Sequence, residues 1–250
     1  MLIFFELGNT RLKAASLKNG RYDYLGSVNH AEMTSDSLLT DLGLQGVDVD
    51  AVYVCSVVDS ESNAKFNEWI QQAFKLYPTY LATQPNCCGI QCGYDAFETF
   101  GVDRWMAIIG ACSGQNKPTF IVDAGTAITV DVVIEKEHIG GFIVPGLAIM
   151  KQSLLDQTAL KPEAMQLKDE TMSSGLLATN TAEAVAGGTL YMVAAYLNAL
   201  LADLEKETGR RFDCVGTGGD FPIIEPLLDK SFDYVEDLTL QGMVEVIESL

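Results

Sequence analysis

Two short runs of this chain each end in a carboxylate, a spacer, a glycine and a small polar residue. They are Ile3-Phe4-Phe5-Glu6-Leu7-Gly8-Asn9-Thr10 and Phe120-Ile121-Val122-Asp123-Ala124-Gly125-Thr126-Ala127. Apolar β-formers before an acid predict a strand that carries the carboxylate to its end. Glycine beyond it predicts a tight turn whose backbone N–H groups stay open to an anion. The acid itself suits a cation or its hydration shell. Alternation sets Glu6, Gly8 and Thr10 on one side of the first hairpin, with Lys13 on the returning strand in reach of a phosphate over the turn. One copy alone would equally suit a solvent-exposed hairpin. Two copies point to phosphate groups clamped between two halves of a molecule.

Three further motifs carry possible chemistry. Val215-Gly216-Thr217-Gly218-Gly219-Asp220 follows a predicted strand, where a glycine-rich turn lets the backbone approach a ribose or phosphate. Gly101-Val102-Asp103-Arg104-Trp105 puts a carboxylate beside a guanidinium where a loop enters a helix. In phosphoryl transfer, one carboxylate to orient and deprotonate a hydroxyl, with a cation beside it for an acidic substrate, is a sufficient set. The competing expectation is that Asp103 only caps the helix and Arg104 is solvated. Gly140-Gly141-Phe142-Ile143-Val144-Pro145-Gly146 reads as a strand end and a helix start. The chain has 2 histidines, neither in a Ser/His/Asp or Cys/His setting, so nucleophilic hydrolysis has little support.

Charge narrows the partners. With 34 acidic against 16 basic residues, a net charge of -18 argues against nucleic acid and anionic lipid as partners. A phosphate site here therefore needs backbone donors, bound metal and a few cations such as Lys13 and Arg104. The opening apolar run is broken by Glu6 and has no basic leader, unlike a signal peptide. The apolar stretch Ala182 to Leu201 contains Glu183 and Asn198 and reads as a buried or interfacial helix, not a membrane span. These features predict a cytoplasmic protein. Cys87, Cys88 and Cys92 crowd together without a matching distal pair, so reduced, unliganded thiols are expected.

The elements that must position these residues follow from periodicity. Residues 2–7, 11–17 and 22–27 predict a β-meander, and 50–58 a central strand. Helices are predicted over 33–44 and 60–76, the second with Phe66, Trp69, Ile70, Ala73 and Phe74 on one face. Residues 103–112 predict a helix stopped by Gly114-Gln115-Asn116-Lys117-Pro118, which marks a boundary between domains 1–116 and 117–250. Strands near 119–123, 127–134 and 137–144, helices from Gly146 and Thr181, a strand at 212–216 and a helix over 241–249 then repeat the theme. The class is α/β, two tandem ribonuclease-H-like domains with mixed sheets flanked by helices. Gly187-Gly188 inside the Thr181 helix costs about 1 kcal/mol per glycine, which predicts a close backbone contact there, with another helix or with a second subunit, or else a kink.

Taken in order and spacing, these motifs resemble type III pantothenate kinase, of the acetate and sugar kinase, heat-shock chaperone and actin superfamily. The resemblance runs from the first hairpin to Gly216-Thr217-Gly218-Gly219-Asp220. It implies ATP-dependent phosphorylation of pantothenate, the first step of coenzyme A synthesis. It implies that Glu6, Leu7, Gly8, Asn9, Thr10, Arg11, Leu12 and Lys13 cradle the ATP phosphates and that Thr126 contacts ATP. Asp123 matches a ligand for a monovalent cation (K+ or NH4+), with Mg2+ accompanying the nucleotide. Asp103 matches the general base, and Tyr94, Gly101, Val102, Asp103, Arg104 and Thr181 match pantothenate contacts. The resemblance also implies a homodimer. Glu6 departs from the aspartate the family normally carries, so a weakened, accessory nucleotide-binding relative is an alternative. A sugar-type small-molecule kinase is another, because phosphate hairpins do not encode the acceptor.

Overall fold

The computed structural model describes residues 1–29, 39–160 and 176–250. In chain order the first elements are β1 (Leu2–Leu7), β2 (Arg11–Lys18), β3 (Arg21–Asn29), β4 (Ala51–Ser56), α1 (Ser60–Phe74), β5 (Thr79–Tyr80), β6 (Asn86–Cys87), β7 (Ile90–Gln91) and α2 (Val102–Cys112). There follow β8 (Thr119–Ala124), β9 (Ala127–Ile134), β10 (Glu137–Pro145), α3 (Leu147–Gln157), α4 (Thr181–Thr208), β11 (Asp213–Thr217), α5 (Phe221–Ile224), β12 (Asp233–Tyr234) and α6 (Leu238–Glu248). The strands form a five-stranded sheet, β3-β2-β1-β4-β5, and a seven-stranded sheet, β12-β11-β8-β9-β10-β7-β6. Mixed sheets with flanking helices are the α/β class the sequence predicts.

Contacts group the described chain into two compact units: Met1–Thr119 with Asp131–Gly140 and Asp237–Leu250, and Phe120–Val130 with Gly141–Glu236. In the first, β1 pairs antiparallel with β2 and parallel with β4, so it lies centrally and Ile3, Phe4, Phe5 and Leu7 are fully buried. Asp59 starts α1 by accepting a hydrogen bond from the Ser62 N–H at 2.8 Å, and Lys75, in the left-handed region, ends it. The predicted stripe then packs on β1. Phe66 and Trp69 meet Phe5 edge-on with ring centroids 5.3 and 5.8 Å apart. Helices α2 and α6 cross where both lack a side chain. A Cβ on Gly242 would lie 1.8 Å from the Met106 carbonyl oxygen, and one on Gly110 would lie 2.4 Å from that of Leu238.

Three expectations change in detail. The predicted helix over 33–44 lies largely outside the described residues, with 39–41 helical. The last helix begins at Leu238, not Gln241, and α4 runs to Thr208, where Gly209 at φ 66° closes it. Gly188 meets no other helix of the described chain: beyond its neighbours and its own helix's backbone, no described atom comes within 4 Å of a Cβ built there. Helix α4 is long and apolar enough to cross a membrane by length and composition alone, and a third of its apolar window (33%) is buried. Tyr191 and Met192, 62% and 54% exposed, form part of its uncovered face.

Candidate active site

The first hairpin places Glu6 in register with Lys13 on β2 and Cys55 on β4. The Lys13 ammonium lies 3.4 Å from Glu6 Oε2, an ion-pair distance. That oxygen is buried against the ammonium. Burial raises the Glu6 carboxyl above its ordinary value, Lys13 opposes the rise, and the charges of Asp103 and Asp237 add to it. Burial, with Glu6 and Asp103 beside it, also holds the Cys55 thiol well above its usual range. The candidate base of the Gly-Val-Asp-Arg segment is thus an electrostatic neighbour of the acid on the first hairpin, within one unit. Asp237 joins them by accepting a hydrogen bond from the Tyr22 hydroxyl.

The turn corrects one expectation. The Gly8 N–H is not open to an anion, because it donates to the Arg11 carbonyl at 3.0 Å, just as the Gly125 N–H donates to that of Ala127 at 3.0 Å. These glycines serve the turn's own closure. Leu7 and Leu12 are fully buried in the core, so only their backbones are available to a ligand. Asn9, Thr10 and Arg11 are exposed at the tip, with Arg11 donating to the Ser27 hydroxyl at 3.2 Å.

At the start of α2 the capping residue is Gly101, without a side-chain hydrogen bond, and Asp103 lies within the first turn. Its Oδ1 accepts from the Arg104 N–H at 2.8 Å. A Cβ on Gly101 would stand 2.7 Å from that oxygen, so glycine there leaves room for the carboxylate. Burial raises the Asp103 carboxyl above its ordinary value, against the lowering effect of the Arg104 N–H and charge. A carboxylate so placed is a better proton acceptor than a solvated one.

Arg104 is 7% exposed, not solvated. Its Nε and Nη2 donate to Asp131 Oδ2 and Oδ1 at 2.9 and 2.7 Å, and Nη1 donates to the Tyr94 hydroxyl at 3.3 Å. Its Cζ lies 4.5 Å from the Phe100 ring centroid. His138, fully buried, donates from Nε2 to Asp131 Oδ1 at 2.9 Å. Tyr94 and Arg104 are therefore brought together as the sequence suggests, but Asp131 and His138 are not among the residues it singles out. The available signal is one acid in the apolar run Val130-Asp131-Val132-Val133, buried at 3% exposure.

The second unit gathers the other glycine motifs around Asp123. The Asp220 N–H donates to the Ala124 carbonyl at 2.9 Å and the Gly146 N–H to that of Thr126 at 3.0 Å. Gly218, at φ +92°, would place a Cβ 2.4 Å from the Ala124 oxygen and 2.5 Å from Asp123 Oδ1. Gly146 would place one 2.2 Å from the Gly125 oxygen. The motifs Asp123-Ala124-Gly125-Thr126, Pro145-Gly146 and Gly216-Thr217-Gly218-Gly219-Asp220 are thus one tightly packed backbone assembly. Thr181, at the start of α4, instead lines a cavity of about 660 Å³ with Asn180, Val185, Gly188 and Met192, which Asp123 and Thr126 do not line.

All six cysteines are free. Burial pushes the Cys112 and Cys214 thiols up to about 11, and burial with the adjacent Cys88 does the same for Cys87. Among the described residues no three His, Cys, Asp or Glu side chains are grouped to hold a metal ion.

The type III pantothenate kinase family model matches residues 2–203. A type III pantothenate kinase of Hydrogenovibrio crunogenus is 63% identical over 250 residues, covering 100% of both chains. One of Nitrosococcus oceani is 32% identical, covering 98% of this chain and 93% of its own. Among solved structures, a putative 2-dehydro-3-deoxygalactonokinase from Sinorhizobium meliloti has a TM-score of 0.62 at 11% identity, covering 100% of this chain and 99% of that one. A conserved putative Baf family transcriptional activator from Campylobacter jejuni has a TM-score of 0.58 at 20% identity, covering 99% and 98%. These two likenesses concern the fold alone. The sequence matches decide the family: the chain belongs to the type III pantothenate kinases.

Proposed function

We propose that this protein transfers the γ-phosphoryl group of ATP to the primary hydroxyl of pantothenate, giving 4'-phosphopantothenate for coenzyme A synthesis. The observation that carries the mechanism is the half-buried Asp103 carboxylate, given room by Gly101 and electrostatically coupled to Glu6. Asp103 takes the hydroxyl proton as the oxygen attacks phosphorus. Residues 6–13 and Thr126 hold the phosphates, with Leu7 and Leu12 contributing backbone only. Tyr94, the 101–104 segment and Thr181 hold pantothenate. In this reading residues 1–116 and 117–250 are two copies of a ribonuclease-H-like unit, each opening on an acid-tipped hairpin. Two copies of the chain associate as a homodimer, for which the uncovered apolar face of α4 is suitable. The protein works in the cytoplasm without nucleic acid or membrane partners.

Metal fits this site in a limited way. Glu6 Oε2 is a buried oxygen already facing the Lys13 ammonium, and the charges of Asp103 and Asp237 act on the same carboxyl, so three acids outweigh that one ammonium, which favours a further cation. Mg2+ would be held through one or two carboxylates together with the substrate's phosphates. Mg2+ would neutralise charge on the transferred phosphoryl group, and Asp123 would hold K+ or NH4+. Glu6 is one methylene longer than aspartate and displaces its carboxylate from that region. Glu6→Asp is therefore expected to lower the KM for ATP by about threefold, a difference of under 1 kcal/mol. Unchanged KM and kcat would remove Glu6 from nucleotide binding.

ADP release, measured with pantothenate beside a panel of sugars and with and without K+, tests the function. Pantothenate-dependent release is expected. Release with a sugar alone would make the chain a different small-molecule kinase, and nucleotide binding without release would make it an accessory protein.

A further inference from the structure

We propose that Asp131 and His138 are positioning residues that set pantothenate binding by holding Arg104 in one orientation. The inference rests on the pantothenate kinase reading and adds residues that the 101–104 motif does not contain. Asp131 grips Arg104 side-on through Nε and Nη2, at 2.9 and 2.7 Å. The Nη1–Nη2 edge of the planar guanidinium faces a third of a turn away from the edge that Asp131 holds, and its fork geometry suits an oxygen ligand. The Tyr94 hydroxyl takes one Nη1 hydrogen at 3.3 Å, and the Phe100 ring, 4.5 Å from Cζ, fixes the plane.

Asp131 is itself oriented. Its Oδ1 accepts from both Arg104 Nη2 and His138 Nε2, and a carboxylate can only accept, so His138 carries its proton on Nε2. The other nitrogen, Nδ1, is buried with no hydrogen-bond partner, so the ring's polar contribution in this structure is the single bond to Asp131. The same aromatic wall holds both partners: the His138 ring centroid lies 4.8 Å from that of Phe100 and 6.0 Å from that of Tyr94. Asp131 also balances the charge of Arg104. Pantothenate then meets aimed N–H groups in place of a loose cation, and aim depends on the clamp.

The test is steady-state kinetics on the full chain with pantothenate and ATP varied separately, beside thermal unfolding. Asp131→Asn should raise the KM for pantothenate by about tenfold or more and leave the KM for ATP within about twofold. Adding Asp131→Asn to Arg104→Lys, which cannot form the side-on pair, should change the pantothenate KM by less than about twofold again. His138→Phe, which removes only the donor, should raise it by about threefold, and His138→Gln, which keeps a donor, should restore most of the loss. If Asp131→Asn does not fold, the two His138 variants decide by the same split. An unchanged pantothenate KM, an equal rise for both substrates, or effects that add fully to Arg104→Lys would overturn the proposal. A wild-type chain that does not turn over pantothenate would instead fail the kinase reading.

Discussion

Asp103→Asn lowers kcat by about a thousandfold while the KM for ATP stays within about twofold, because a positioned base is worth roughly 10²–10⁴ in rate. The amide has nearly the shape of the carboxylate, so the space left by Gly101 and the contact with the Arg104 N–H persist. What is lost is the proton acceptor. The pH profile carries a second signature of the same group. Burial raises the Asp103 carboxyl, so the free enzyme loses its base on acidification at a higher pH than a solvated aspartate would. The acid limb of kcat/KM is therefore expected above about 3.9, the ordinary aspartate value, with activity falling as pH drops through it. Asp103→Asn should flatten that limb in whatever activity remains. A variant that keeps wild-type turnover would remove Asp103 from the chemistry.

Gly218→Ala weakens nucleotide binding and costs about 3 kcal/mol of stability, through backbone strain and overpacking together. The residue sits at φ +92°, where an L side chain is strained, and its Cβ would fall 2.4 Å from the Ala124 oxygen and 2.5 Å from Asp123 Oδ1. The Ala124 oxygen cannot retreat cheaply, because it is backbone at the end of β8 and is held by the Asp220 N–H, while Asp123 Oδ1 can move only by turning the carboxylate. The strain therefore reaches the carboxylate and the Gly125-Thr126 turn, raising the KM for ATP by more than about tenfold. Gly219→Ala is the control, since nothing lies within 4 Å of a Cβ there and its φ is not in the left-handed region. It should shift Tm by less than about 2 °C. Equal behaviour of the two variants would show that the packed assembly around Asp123 does not matter to nucleotide binding.

What the sequence made legible depended on the length over which a pattern could repeat. The meander β1 to β3 was readable because runs of six to nine residues rich in β-formers are set off by the turn signals Gly8-Asn9 and Asn19-Gly20, and helix α1 because its apolar stripe recurs from Phe66 to Phe74. Strands β5, β6, β7 and β12 are 2 residues each, too short for any period to show. The two acid-tipped hairpins and the Asp103 segment were readable as motifs, but the use of their donors was not. Gly8 and Gly125 spend their N–H groups on turn carbonyls, a choice made by three-dimensional closure. Arg104 is the sharpest case. From its own neighbours it is a first-turn residue facing water. Its burial follows from an acid 27 positions later, on a strand whose pairing brings Asp131 and His138 behind it. For Gly188 the sequence left open a contact with another helix, a contact with a second subunit, or a kink, and the first of these is absent among the described residues.

The central claim is that this chain phosphorylates pantothenate with Asp103 as the base. Phosphorus NMR of the product mixture from ATP, Mg2+, K+ and pantothenate tests it most directly. A new phosphomonoester signal, coupled to methylene protons, should appear with the wild-type chain and be nearly absent at equal time with Asp103→Asn. No phosphomonoester from the wild-type chain, or an equal signal from both, would contradict the account.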